Sequence, residues 1–212
     1  MCFAPMGRRR WLRTALAAAA TAGITLPAKA DTAAVAPIRE LCDSLLGIMR
    51  AGHSTSFAQR FNMLTPAIER AFNLAAILQL SVGPAWASMA PTAQGTLMTA
   101  FRRYTVANYV NNFDSYNGQR IDVQPDTRPL PNSEQLVMTK VISAAGETHE
   151  IDYVMRQEVS GWKAVDVLAD GSISRVAVQR SDFRRLVMQG GAQALIESLD
   201  QKTSDLSGGA LS

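Results

Sequence analysis

Residues 135–168, "QLVMTKVISAAGETHEIDYVMRQEVSGWKAVDVL", decide how this chain folds. Three apolar-rich runs, Gln135–Ser143, Thr148–Val159 and Trp162–Leu168, are separated by turns at Ala145-Gly146 and Ser160-Gly161. Short, Gly-bearing connections between runs of this length predict antiparallel strands joined as a meander. In the middle run Ile151, Tyr153 and Met155 alternate with Asp152, Val154 and Arg156. A period of two places the first set on the helix-covered face. The second set then faces away, on a side expected to be largely wet.

Working outward, residues 119–124 read as one more strand after Asn117-Gly118. "PDTRPLPN" follows as a Pro-rich connection that cannot be a central strand. Ahead of it the period is helical. Ile38, Leu41, Cys42, Leu45, Ile48 and Met49 predict a helix over 34–51, stopped by Gly52. A short second helix carries Phe57, Phe61 and Leu64, and Pro66 can open a third through 67–80, broken at Gly83-Pro84. Ala90-Pro91 starts a long helix over about 92–116. One stripe on it holds 97, 101, 104, 108 and 112, and another holds 106, 109, 110 and 113, so it is apolar on more than one side. Either the helix packs between layers, or one stripe lines a cavity.

Beyond the meander, Ser172 or Ser174 can cap a basic helix aligning Ile173, Val176, Phe183 and Val187. Gly190-Gly191 ends it, a last helix covers 192–199, and the stretch 203–212 reads as a flexible tail. The Trp162 strand is expected to close the sheet, with the Phe183 helix folded back against it. Arg180, Arg184 and Arg185 form a solvated face, or one that meets lipid phosphates or an acidic partner. There is no internal repeat. Helices, a strand meander and helices again make an α+β domain with helices on one sheet face.

The first thirty residues stand apart. Arg8, Arg9, Arg10 and Arg13 precede the apolar run "ALAAAATAGITL", which ends at Ala28-Lys29-Ala30. That order predicts a cleaved secretory signal over 1–30 and a periplasmic address, with the run too short to span a bilayer. "RRRWLR" fits the twin-arginine type as well as an Arg-rich general signal. Five of the 21 basic residues and none of the 18 acidic ones lie in this segment. The remainder therefore holds 16 basic and 18 acidic groups, and a polyanion-binding surface is not supported. Only Cys42 remains for a disulfide, and His53 and His149 have no partner at metal-ligand spacing. No metal or other cofactor is expected. Neither a G-x-S-x-G nor a phosphate-cradling Gly loop is present. Asp152 and Asp166 lie on strands, and each is either a carboxylate in a cleft or a solvent-facing or Arg-paired one.

"GWKAVDVLADGSISRVAVQRSDFRRLV" followed by "GGAQALIESLDQK" resembles the carboxyl half of the MlaC (toluene-tolerance) family. The resemblance rests on Trp162-Lys163, Asp166-Val167, Gly171, Ser174, Arg180-Ser181, Phe183, Leu195-Ile196 and Leu199. Upstream, "AFNLAAILQLSVGPAW" and "VANYVNNFDSYNG" follow the family order, while Ala164 and Val165 depart from its commonest wording. "ISRVAVQRSDF" is closest to the hopanoid-associated HpnM branch.

The resemblance implies a monomeric, non-enzymatic periplasmic carrier over 31–202, with an apolar cavity between a cone-like curved sheet and helices. Its cargo would be a phospholipid or hopanoid lipid. Its partners would be an inner-membrane MCE-domain protein with its ABC transporter, and an outer-membrane lipoprotein complex. No nucleic acid is implied. The expected cavity lies between helix 92–116 and the meander. Its expected lining is Phe101, Tyr109, Phe113, Val137, Val141, Tyr153, Met155, Trp162, Val165 and Phe183. The competing readings are a small NTF2-like enzyme using a cavity carboxylate and a periplasmic adaptor whose interior is merely core.

Overall fold

The computed structural model describes residues 33–211, so the expected signal at 1–30 lies outside the described residues. Helix α1 (Ala36–Ala51) buries all six residues of its predicted stripe, from Ile38 to Met49. Helix α2 (Phe57–Ala71) starts on a reciprocal cap. The Gln59 amide donates to Ser56 Oγ at 3.2 Å, and the Ser56 amide donates to Gln59 Oε1 at 3.0 Å. Pro66 does not open a third helix; it sits inside α2. Its missing N–H costs one helical bond, which burial of Leu64, Ala67 and Ile68 around it offsets. The chain breaks at Phe72-Asn73 instead. Phe72 is extended, and Asn73 accepts the Ala76 amide at 2.9 Å to cap α3 (Leu74–Val82).

Helix α4 (Pro91–Asn112) ends four residues earlier than expected, at the non-helical Phe113. The strands are β1 (Arg120–Pro129), β2 (Gln135–Ile142), β3 (Thr148–Glu158), β4 (Gly161–Ala169) and β5 (Ile173–Ser174). They form one antiparallel sheet in sequence order, as the meander predicts. Two details correct the sequence reading. The strand β1 runs on through Pro125, because residues 124–126 bulge opposite Met138 at a sheet edge, where proline is tolerated. The Trp162 strand does not close the sheet, since β5 pairs beyond it through Leu168–Ser174 and Ala169–Ile173. Two residues are too few to show a period.

A second bulge lies in β4, where Val154 pairs with Asp166 but Met155 pairs with Ala164. Val165 is the extra residue, so Ala164 and Val165 are buried in succession. The bulge also marks where the helices grip the sheet. The Asn73 amide donates to the Ala164 carbonyl at 2.9 Å, and Phe72 bridges Ala164 in parallel. Next to it, Lys163 Nζ donates to the carbonyls of Glu69 and Arg70 at 2.7 and 3.3 Å. A cation there satisfies the last turn of α2 and opposes its dipole.

Helix α5 (Arg175–Ser207) is broken at Gly190-Gly191, as expected, with Gly191 at a φ of 67°. The tail reading for 203–212 is corrected. The helix continues to Ser207 and ends on the left-handed Gly208, with the Gly209 amide donating to the Ser204 carbonyl at 2.9 Å. The Phe183 helix does touch the Trp162 strand, but that is not its main packing partner. Phe183 meets Phe101 of α4 edge-on at 6.1 Å, so α5 packs mainly on α4. Ile173 leaves the expected helix stripe, lying exposed in β5.

Candidate functional site

Phe101, Tyr104, Thr105, Asn108, Tyr109, Asn112 and Phe113 recur at intervals of three and four along α4, so they share one face. That face does not reach the sheet along its whole length. A cavity of about 440 Å³ separates it from Ile151 of β3 and Val167 of β4, with Leu74 and Ile77 of α3 on its flank and Val176 of α5 above. The wall is predominantly apolar, and Asn112, His149 and Arg175 mark its exposed rim. The stripe 101, 104, 108 and 112 lies on the wall; Leu97 of the same stripe is fully buried instead.

Of the ten residues expected to line a cavity, Phe101, Tyr109, Phe113 and Val141 lie on this one. Val137, Tyr153, Met155, Val165 and Phe183 do not; they are buried away from the void. Trp162 lies at the far end of β4, opposite Gln157, while the cavity adjoins 166–169. The void occupies one end of the sheet only. The other end is filled by Phe72, which stands 5.7 Å from the Tyr109 ring and 6.0 Å from the Tyr153 ring.

The sequence reading missed Phe72, Leu74, Ile77, Ile151 and Val167 as wall residues. A signal did exist for α3: "LAAILQL" has almost no polar face, as a helix buried or facing a void on several sides requires.

The polar groups of the wall divide into committed and uncommitted. Asp166 is committed. It accepts the amides of Val167 and Val176 at 2.7 and 3.1 Å, and the Ser174 hydroxyl donates to it. Ser174 Oγ in turn accepts the Ala177 amide at 2.9 Å, so the pair forms an extended cap on α5. Burial pushes the phenols of Tyr109 and Tyr153 above the usual range. Burial also pushes the Cys42 thiol up to about 12, which leaves it protonated and unreactive.

Asp152 does not behave as expected. Tyr153 and Met155 are in the core as the period requires, but Asp152 on the opposite face is also buried. The turn at Gly171 covers it, and Thr139 donates its amide to the carboxylate at 3.2 Å. Desolvation is the main cause that raises its pKa, assisted by Glu150 and opposed by the Thr139 amide, Arg128 and Lys140. It lies off the cavity wall. Arg156, on the same side, is half-exposed and paired with Glu134 at 2.7 Å. Among the described residues no cluster of three or more potential ligands could hold a metal ion.

The model of the family described as "MlaC protein" matches residues 39–201. Among solved structures, a phospholipid-binding protein from Ralstonia solanacearum, determined in complex with a phospholipid, superposes with a TM-score of 0.71. The match has 18% sequence identity and covers 82% of this chain and 98% of that one, a likeness of fold. No curated protein matches the sequence.

Proposed function

The chain belongs to the MlaC family, and from that premise we propose that it is a periplasmic lipid carrier. In this reading the segment 1–30 exports it and is removed, and a single monomeric domain shuttles lipid between membranes. It would exchange cargo with an inner-membrane MCE-domain protein and its ABC transporter, and with an outer-membrane lipoprotein complex. The observation that carries the reading is the void of about 440 Å³ with its apolar wall. The Ralstonia solanacearum protein of the same fold holds a phospholipid, which supports a lipid here.

The dimensions suit one chain. At about 30 Å³ for a water-sized group, the void takes on the order of fifteen methylene-sized groups. Burying that many methylenes is worth about 12 kcal/mol against water, at about 0.8 kcal/mol each. A bilayer offers the chain a similar gain, so transfer between membrane and cavity is close to neutral and needs no chemistry. No carboxylate is poised for any: Asp166 is occupied by two amides and a hydroxyl, and Asp152 lies off the wall. Those placements weigh against the enzyme reading. "ISRVAVQRSDF" favours a second reading of the cargo, a hopanoid-type polycyclic lipid.

Val141→Trp tests the proposal, because Val141 is half-exposed on the cavity wall. Native mass spectrometry of the exported protein is expected to show co-purified lipid in the wild type and none in the variant, at nearly equal melting temperatures. Overpacking a dense core would instead cost about 1–3 kcal/mol. Absence of lipid from the wild-type protein would sink the carrier reading and favour an adaptor.

A further inference from the structure

Hydrogen-bonding capacity is concentrated, and left unused, at the mouth of the cavity. Asn108 and Asn112 project from α4, His149 from β3 and Arg175 from α5, all onto the same wall. None of their side chains makes a hydrogen bond or ion pair with another described residue. Several other arginines are paired: Arg156 with Glu134, Arg103 with Asp200, Arg70 with Glu40 and Arg102 with Glu69.

Three acidic groups on β4, β3 and α5 already have partners. Asp166 caps α5, Glu150 pairs with Lys140 at 3.4 Å, and Asp182 pairs with Arg185 at 4.0 Å. The charge of Arg175 nevertheless reaches across the opening to α4. It draws the hydroxyl pKa values of Tyr104 and Tyr109 downward, against the larger upward push of burial. An unpaired cation and two free amides ring an apolar void. A ligand matching that layout has an apolar chain and an anionic head bearing several acceptor oxygens.

We infer that this rim binds the oxyanion head of an acyl-chain lipid, with Arg175 as its principal charged donor and Asn108 and Asn112 as neutral ones. The inference rests on the carrier reading and deepens it by naming the head chemistry. A guanidinium presents its N–H groups in a planar fork that matches two oxygens of a phosphate or carboxylate, and charge-assisted bonds of this kind are about twice as strong as neutral ones. An ammonium at the same place would supply charge without the fork. Phosphate and carboxylate heads share this chemistry. An uncharged polycyclic lipid makes no use of it.

The test is a competition assay on delipidated full domain, displacing a fluorescent acyl probe with three ligands of one chain length: a lysophosphatidic acid, the matching fatty acid and the matching monoacylglycerol. The wild type is expected to favour the phosphate ligand over the uncharged one by about tenfold or more. Arg175→Gln is expected to lose that preference while binding the monoacylglycerol as before, with Arg175→Lys intermediate. Arg120→Ala, a charge loss on β1 off this wall, is expected to leave all three unchanged.

The fatty-acid arm identifies the source. Binding as tight as that of the phosphate supports any acyl oxyanion, and preference for the phosphate alone supports a phospholipid head. Equal wild-type affinity for charged and uncharged ligands overturns the inference and leaves the carrier reading standing. So does an equal loss for every ligand in Arg175→Gln. If no acyl ligand binds, the monoacylglycerol included, the carrier reading itself fails.

Discussion

The two ends of the sheet are built from the same pattern and do opposite things. Along β3, Tyr153 and Met155 are buried in the core, whereas Ile151, two residues away on the same face, looks into a void. What differs is the covering layer. At the packed end the α2–α3 joint pushes Phe72 between Tyr109 and Tyr153, and the Asn73 amide ties that joint to Ala164. At the open end α4 and the start of α5 hold the roof clear of Ile151 and Val167. A cavity in this fold is therefore a place where an otherwise ordinary apolar sheet face is left uncovered. The chemistry of the strand does not announce it.

The largest expected effect breaks the packed end. Tyr153→Ala removes a fully buried ring in contact with Phe72. Its cost is expected near 3–5 kcal/mol, the usual range for deleting a buried aromatic side chain. Ile151→Ala, on the wall of a void, is expected to cost about 1 kcal/mol, because few atoms lie opposite it to lose contact with. Urea unfolding of the two variants measures the contrast directly. Equal costs would mean that the open end is as densely packed as the other.

A middle-sized effect concerns what holds the roof. Asp166→Ala releases the Val176 amide and the Ser174 hydroxyl together, which undoes the cap on α5. The expected loss is about 1–2 kcal/mol, the range for a well-formed cap. Asp166→Asn, which keeps an acceptor oxygen, is expected to recover most of it. Hydrogen exchange over residues 174–180 is expected to speed up in Asp166→Ala with little change at α1. An unchanged exchange rate there would show that the roof does not depend on this carboxylate.

Local pattern made much of this legible. The stripe of α1, the three strands of the meander and the break at Gly190-Gly191 each follow from residues close in sequence. What escaped was decided by distant contacts. Pro66 stays helical because its neighbours are buried, and the true break at Asn73 shows locally only as one more Asn. The continuation of β1 past Pro125 depends on a bulge that only its partner strand defines.

The site was half visible for the same reason. The α4 face through Phe101, Tyr109 and Phe113 declares itself by apolar excess, since one side would suffice for packing. Whether Tyr153 or Ile151 meets the void depends on where Phe72 lands, eighty residues away along the chain. Volume left between elements has no period.

The smallest expected effect lies at the border between the two ends. Asp152 stands between Ile151 and Tyr153 on the reverse face, buried under the Gly171 turn. Desolvation raises its folded pKa above the unfolded value near 4. For a carboxylate raised in this way, the protonated form is the one the fold prefers. Its favourable contribution is thus fully present below about pH 4 and is lost as pH climbs through the raised folded value. Asp152→Asn keeps an oxygen for the Thr139 amide and cannot ionise. At neutral pH the variant is expected to equal or exceed the wild type in stability, by under about 1 kcal/mol, with the gap closing as pH falls below about 4. Paired unfolding curves across that window decide it. A variant less stable than the wild type at neutral pH, with a gap that closes on acidification, would mean that Arg128 and Lys140 outweigh desolvation and that the border is held by charge.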